Sequence, residues 1–539
     1  KNAQRIGLRT LTVSREKDQW GEEFCFINNG VKIFAMGANY IPEDQIVTRC
    51  NEVKTRKLLA DCKAANYNFI RVWGGGYYPD EYFYDYCDEN GIIVWQDFMF
   101  ACSAYLLTEE FEETVRGEVR DNVIRLRNHP SLGLWCGNNE IESAWEYWGL
   151  PEDEEAKRDY LIIFEDIIPQ VLKAYDPCEN TFYWPSSPSS GGGFKDASSN
   201  HAGDMHYWDV WHNFKPIEAF REFYYRFCSE YGFESLPDIK TCRAFADETK
   251  GDFDLCSPVM AAHQKCVQGN EKIMYYLAQM VRYPYDFKKL IYSSQLVQAD
   301  CIRSNVEHMR RARGRCMGSA YWQVNDSNPV ISWSSIDYFG RWKGLHYYAK
   351  RFYAPCLISC DDTHRKNPVL NISNERMTAF EGIVRWKLRN NKAEILQSGE
   401  KSVNVPALTA QNVLTIDLSD ELKNRTDPRE KYLEYSIMEN GKVLSFGTTL
   451  FVRPKEFTFL EPKITYGISE SEDKFALTFC AENYAKSVCL SLKTADCVFS
   501  DNWFDIHGKE PVTIMIDKAS LSRKMTAQEL SEELEIMHN

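Results

Sequence analysis

Between Ile33 and Trp322 the apolar positions fall into short dense runs, separated by longer stretches of mixed character. IFAMGAN (33–39), FIRVW (69–73), IIVWQ (92–96) and LGLW (132–135) have the length and the β-branched and aromatic content of buried strands. The stretches between them show helical spacing. Leu58, Leu59, Cys62 and Ala65 share one face of 53–65, and Phe111, Val115, Val119 and Val123 recur at every fourth position of 109–127. Gly91 closes a helical stretch at 80–90, and Pro130 closes the one at 109–127. The alternation continues through TFYW (181–184), GDMHYW (203–208), RFCSE (226–230) and GSAYW (318–322). Helical stretches lie at 154–175, after Pro216, and near 272–281 and 294–313. Eight strands alternating with helices predict a (β/α)8 TIM barrel. A doubly wound open sheet is the competing reading, but no G-x-G-x-x-G or P-loop supports it.

After Pro355 the period changes to two. GIVRWKLRN, VLTIDLS and YLEYSIME alternate apolar and polar residues with turn residues between them, and the next helical pattern comes only near 527–535. This predicts two β-sandwich domains with a seam near 451–457. The organisation expected is therefore a β segment at 1–20, the barrel at 21–355, a sandwich at 356–455 and a second sandwich at 456–539. The tract SSPSSGGG (186–193) follows the fifth strand and is expected to be a flexible loop on the active face of the barrel.

Composition narrows the function. A net charge of −15 disfavours a nucleic-acid partner, which needs a basic face to neutralise phosphates, and none is expected. No apolar run has the roughly 18 residues that a membrane span needs. Aromatic residues make up 14% of the chain, which suits large cores and also the stacking of sugar faces on flat rings. The 18 cysteines are scattered without C-x-x-C pairs, and no histidines stand at H-x-x-x-H or H-E-x-x-H spacing. They are expected to be mostly free, buried thiols in a cytoplasmic protein, with no metal and no cofactor. A secreted, periplasmic or lysosomal protein is the alternative if a signal peptide preceded Lys1.

In a barrel of this kind the residues just past the strand C-termini form the active site. Glu140 follows the fourth strand, in WCGNNE, and Glu230 ends the seventh, in RFCSE. Two carboxyls so placed suit glycosidic-bond hydrolysis, one protonating the leaving oxygen and the other attacking the anomeric carbon. Trp73 and Trp322 end the second and eighth strands, either as walls of a sugar pocket or as core aromatics. His206 and Tyr207 end the sixth, and one of them is expected to contact Glu230 or a sugar hydroxyl; a satisfied core histidine is the plain alternative. Asp97 ends the third strand and is expected to orient its neighbours. Arg71, on the second, is expected to pin Glu230 by a charge-assisted hydrogen bond.

The blocks WCGNNE, RVWGGGYYPDEYFYDYCDENGIIVWQDFMFAC, GDMHYWDVWH, RFCSEYGFES and YWQVNDSNPVISWSSIDYFGRWKGLHYYAKRFYAP resemble the β-mannosidases of glycoside hydrolase family 2. ADCVFSDNWFDI (495–506) is similar to that group's terminal immunoglobulin-like domain. The resemblance implies a retaining exo-β-mannosidase acting on terminal β-mannose of β-mannosides or manno-oligosaccharides. Glu140 matches the acid/base, Glu230 the nucleophile, and Asn139 the asparagine that binds the sugar 2-hydroxyl. For Glu140 to hold a proton near neutral pH, the negative charge of Glu230 is expected to raise its pKa. Asn328, Leu106 and Glu234 stand where the family pattern has Trp, Pro and Gln. The resemblance also implies a jelly-roll and a sandwich domain ahead of the barrel, and low activity without them. Other family 2 exo-β-glycosidases (β-glucosaminidase, β-galactosidase or β-glucuronidase) remain open, as does a non-catalytic carbohydrate-binding protein. Two facing carboxylates argue against the last.

Titration of the denatured, unreduced protein should find most of the 18 cysteines as free thiols. A small fraction would mean disulfides and an oxidising compartment.

Overall fold

The structure, a computed structural model, describes residues 6–149, 153–178 and 181–539. It divides into two compact units, Lys1–Gly232 with Ala312–Asn328, and Phe233–Arg311 with Pro329–Asn539.

The first unit is built on eight parallel strands: β1 Ala35–Tyr40, β2 Phe69–Val72, β3 Ile93–Asp97, β4 Leu132–Cys136, β5 Tyr183–Trp184, β6 Met205–His206, β7 Cys228–Glu230 and β8 Gly318–Tyr321. Their order is β5-β4-β3-β2-β1-β8-β7-β6, so the first strand pairs with the last, Ala35 opposite Gly318. This is the predicted barrel. Its ladder ends at β5 and β6, which have two residues each, and an antiparallel bridge between Ser189 and Asp204 joins the segments beyond them. The shortness of β5 has a local cause, because Pro185 follows Trp184 and has no N–H to continue a ladder.

The helices follow the apolar spacing. Glu109–Leu126 buries Val115, Val119, Val123 and Leu126, and its N-cap Thr108 accepts from the N–H of Phe111. Glu81–Asn90 stops at Gly91, whose φ of 66° few residues other than glycine adopt without cost. The helix predicted at 154–175 starts at Glu154 but widens into a π-turn over Ile162–Ile167 before Ile168–Tyr175. Pro169 explains the widening, since its ring and missing N–H conflict with a regular α-helical turn.

A small antiparallel sheet, Leu11–Ser14, Cys25–Asn28 and Val31–Ile33, precedes the barrel. Leu11, Val13, Phe24 and Phe26 lie in one buried cluster with Phe69, Ile93, Trp95, Trp184 and Phe227 of the barrel. The Phe24 ring is 4.9 Å from that of Trp184 and 5.6 Å from that of Phe227, so it fills the barrel interior below the site.

The second unit holds the long helix Phe287–Arg311, the helix Gly344–Phe352 and two sandwiches. In the first sandwich a three-stranded and a four-stranded sheet enclose a core of Ile358, Ile372, Val384, Leu388, Leu433 and Ile437. The second pairs two three-stranded sheets. The terminal helix expected near 527–535 stops at Glu533, and Leu534–Met537 instead adds a strand to Tyr484–Leu492. Among the described residues no helix is long and apolar enough to cross a membrane. All 18 cysteines are free, with Cys102, Cys178 and Cys256 exposed.

Phe24→Ala should cost about 3–5 kcal/mol of stability, because the ring is fully enclosed and its cavity cannot collapse onto rigid strands. Denaturant unfolding measures the loss.

Candidate active site

The turn after β4 positions Glu140. Gly137 lies so close to β5 that a Cβ would sit 2.3 Å from the Pro185 carbonyl oxygen, so only glycine fits. Asn138 then pins the loop. Its Nδ2 donates to Pro185 O at 3.0 Å, and its Oδ1 accepts from Ile141 N at 3.1 Å and Ser186 Oγ at 2.8 Å. Asn139 and Glu140 continue the ladder, Asn139 N to Phe100 O at 2.9 Å and Glu140 N to Ser187 O at 2.8 Å. Glu140 has φ of 60°, a left-handed conformation costly for a side chain of its kind and typical of functional turns.

Arg71 on β2 is the centre of the site. It is fully buried and uses its whole fork. Nη1 donates to Glu230 Oε1 at 2.6 Å and Asn39 Oδ1 at 2.9 Å. Nη2 donates to Asp97 Oδ2 at 2.8 Å and Asn139 Oδ1 at 2.7 Å, and Nε reaches Asp97 Oδ1 at 3.4 Å. Asp97 is held in turn by Trp95 Nε1 at 2.8 Å and Gly74 N at 3.0 Å. Burial alone would lower the pKa of Arg71, but Asp97 and Glu230 raise it above its usual value. Burial raises the pKa of Asp97, against the pull of Arg71.

His206 joins the two glutamates. Its Nδ1 is 2.8 Å from Glu140 Oε1 and 3.4 Å from Glu230 Oε2. One atom from each of Glu140, His206 and Glu230 lies within 4.8 Å of the others. That spacing would admit a cation, as would that of Asp85, Asp88 and His129. In the first group the carboxylate charge is already met by Arg71, so the group is not read as a metal centre.

Burial raises the pKa of Glu140 to about 7, opposed by Arg71, Cys102 and Asn139. The leading cause is thus desolvation rather than the charge of Glu230 that the sequence suggested. Burial also raises the pKa of Glu230, while His206 and Arg71 lower it and Glu140 raises it. For His206 burial dominates and lowers the pKa to about 4, so the ring is neutral at neutral pH.

Trp73 and Trp322 meet as a corner, with ring centroids 4.9 Å apart and planes at 75°, and both are partly exposed. Tyr207 is not brought to the carboxylates. Its ring packs against Phe220, Phe223 and Tyr225, because successive residues of a strand point to opposite sides and His206 takes the inner one. The structure adds Asn39, Cys102, Ser187, Asp204 and Ser229. Cys102 accepts from Asn139 Nδ2 at 3.4 Å and donates to Glu140 Oε2 at 3.6 Å. In the tract 186–193, Ser186, Ser187 and Ser189 are fully buried, while Gly191 is exposed. Of the three departures from the family pattern, Asn328 accepts from Gln45 Nε2 at 3.1 Å, Leu106 is exposed and Glu234 is fully buried.

The Mannosidase Ig/CBM-like domain family matches residues 369–456, and an Ig-fold domain family of mannosidases matches 459–539. "Beta-mannosidase B" of Aspergillus terreus is 32% identical over 544 residues, covering 95% of this chain and 63% of that protein. The same-named protein of Aspergillus fumigatus is 33% identical over 537 residues, covering 94% and 62%. A crystal structure of β-D-mannosidase from Dictyoglomus thermophilum superposes with a TM-score of 0.90 at 30% identity, over 99% of this chain and 63% of that one. The chain belongs to the β-mannosidase group of glycoside hydrolase family 2. It spans less than two thirds of the length of these relatives. An exo-chitosanase from Amycolatopsis orientalis, at 15% identity and a TM-score of 0.74, shares the fold.

The raised pKa of Glu140 makes a stability prediction. A carboxyl whose folded pKa lies above its unfolded value of 4.5 contributes stability that is full below that value and is lost as pH rises through about 7. Its side chain is only 15% exposed, so solvent screens little of this. Glu140→Gln should therefore gain on the parent by roughly 2–3 kcal/mol between about pH 5 and about pH 8. Urea unfolding at the two pH values checks it.

Proposed function

We propose that the protein is a retaining exo-β-mannosidase that releases terminal β-D-mannose by double displacement, without a cofactor. The observation that carries the reading is the Glu140–His206–Glu230 arrangement, with atoms of all three groups within 4.8 Å. Carboxyls about 5–5.5 Å apart leave room for direct attack, whereas inversion needs about 6.5–9.5 Å to admit a water. The choice of mannose rests on the relatives named β-mannosidase.

In the first step Glu140 gives its proton to the glycosidic oxygen as the bond from the anomeric carbon to that oxygen breaks. Glu230 forms an ester to the same carbon through Oε2, because Oε1 is held by Arg71. The unlike states of the two carboxyls fit these roles: burial keeps Glu140 protonated to about pH 7, while Arg71 supports the charge of Glu230. In the second step Glu140, now a carboxylate, takes a proton from water, and the hydroxide oxygen replaces Glu230 at the anomeric carbon. Asn139 has its Oδ1 occupied by Arg71, which leaves Nδ2 as the donor for the sugar 2-hydroxyl. Trp73 and Trp322 provide an apolar corner for a sugar face. Arg71 and Asp97 position Glu230 and do not react.

A panel of aryl β-mannoside, β-glucoside, β-galactoside, β-glucosaminide and β-glucuronide tests the substrate, and turnover confined to a sugar other than mannose overturns it. Glu230→Ala should abolish turnover of every substrate. Glu140→Ala should keep fast glycosylation by a dinitrophenyl mannoside, show a burst, and form β-mannosyl azide when azide is added. On unactivated mannosides it should lose ~10²–10⁴-fold. Equal losses on both substrates, with no azide product, would show that Glu140 only holds the pocket together.

A further inference from the structure

The residues behind His206 form a buried chain that the roles above do not use. Asp204, just before β6, is fully buried, and each of its oxygens has two partners. Oδ1 accepts from Trp184 Nε1 at 2.8 Å and Ser189 N at 3.0 Å. Oδ2 accepts from Ser187 Oγ at 2.6 Å and Ser229 Oγ at 2.5 Å. Ser187 Oγ is also 2.9 Å from Nε2 of His206.

A carboxylate only accepts hydrogen bonds. The single hydroxyl proton of Ser187 therefore points at Asp204, and its oxygen offers a lone pair to His206. A neutral imidazole has one N–H, so this lone pair draws it to Nε2 and leaves Nδ1 without a proton. Nδ1 faces Glu140 Oε1 at 2.8 Å. Two lone pairs at that distance repel, whereas a carboxylic acid O–H would donate to Nδ1. We propose that Asp204, acting through Ser187, fixes His206 in its Nε2–H form so that Nδ1 accepts, and so keeps, the acid proton of Glu140. In the opposite tautomer Nδ1–H would donate to Glu140 and Glu230 together, favour both as carboxylates and leave the site without an acid. Asp204 and Ser187 are thus positioning residues, and their effect on turnover rests on the acid/base reading of Glu140.

The charged and titratable groups facing the ring are Glu140 after β4, Glu230 on β7, Arg71 on β2 and Asp204 before β6, with the Cys102 thiol against Glu140. Two of them, Glu140 and Glu230, lie on the Nδ1 side and would pull a proton there. The Asp204–Ser187 pair is what opposes that pull. The burial that keeps His206 neutral is the condition under which tautomer, rather than charge, decides.

The test is ¹⁵N NMR of histidine-labelled protein without substrate, near neutral pH. His206 should show a protonated Nε2 and a lone pair on Nδ1. Ser187→Ala keeps three of the four donors to Asp204 but breaks the link, and should move the proton to Nδ1. Asp204→Asn should do the same, and Ser187→Thr should restore the parent state. In kinetics, Ser187→Ala should lower the basic limb of kcat/KM by about one pH unit and cost ~10²-fold on mannosides with poor leaving groups. A dinitrophenyl mannoside should be nearly unaffected. A parent ring protonated at Nδ1, or one whose tautomer is the same in Ser187→Ala, overturns the proposal. The tautomer is read without turnover, so this result is independent of whether β-mannoside is the substrate.

Discussion

The guanidinium of Arg71 is the interaction on which the rest of the site depends. It is a buried cation bound to two carboxylates and two amides from β1, β3, β7 and the turn after β4. Taking such charges out of water is expensive, and an apolar core would often be as stable or more so. What the arrangement provides is position. The planar fork fixes Asp97, Asn139 and Glu230 at set angles, which a lysine point charge would not do. With Glu140 protonated, the single cation faces two carboxylates, Asp97 and Glu230, so the direct contact of Arg71 rather than an excess of positive charge supports an ionised Glu230.

The two glutamates are chemically alike and are made different by their surroundings. Glu230 has a cation at 2.6 Å, whereas Glu140 has a neutral imidazole, a thiol and partial exposure. The difference comes less from mutual repulsion than from what each meets on its other side. The layers around the site serve the same end. Below it, Phe24 and its neighbours fill the barrel interior with apolar side chains, and low polarisability there strengthens each contact of Arg71.

Much of this was legible in the sequence. Glu140, Glu230, Arg71 and Asp97 stand at or next to the ends of strands with long apolar runs, where strand count and alternation place a side chain with few choices. The sixth strand shows where that logic stops. It has two residues, too few for a period, so His206 and Tyr207 could not be told apart until the structure showed which one faces inward. Ser187 and Asp204 were hidden for another reason. Serine and glycine in sequence signal a flexible loop, yet Ser186, Ser187 and Ser189 are buried and bond to Asn138 and Asp204, partners remote in sequence. The departure of 534–537 from a helix is similar, as pairing with a distant strand overrode local preference.

Position 140 is where folding and chemistry disagree most sharply. The backbone there is left-handed, which glycine or asparagine adopts at least cost, and the surroundings disfavour an ionised side chain. For the folded state alone, a small uncharged residue would be the better choice on both counts. If a lineage carrying this chain lost its substrate, replacement of this codon would meet little resistance and would leave a sturdier protein. On the proposed acid/base role of Glu140, a homologue with the whole scaffold intact but glycine or asparagine at this one position would be the expected form of a relative without hydrolysis.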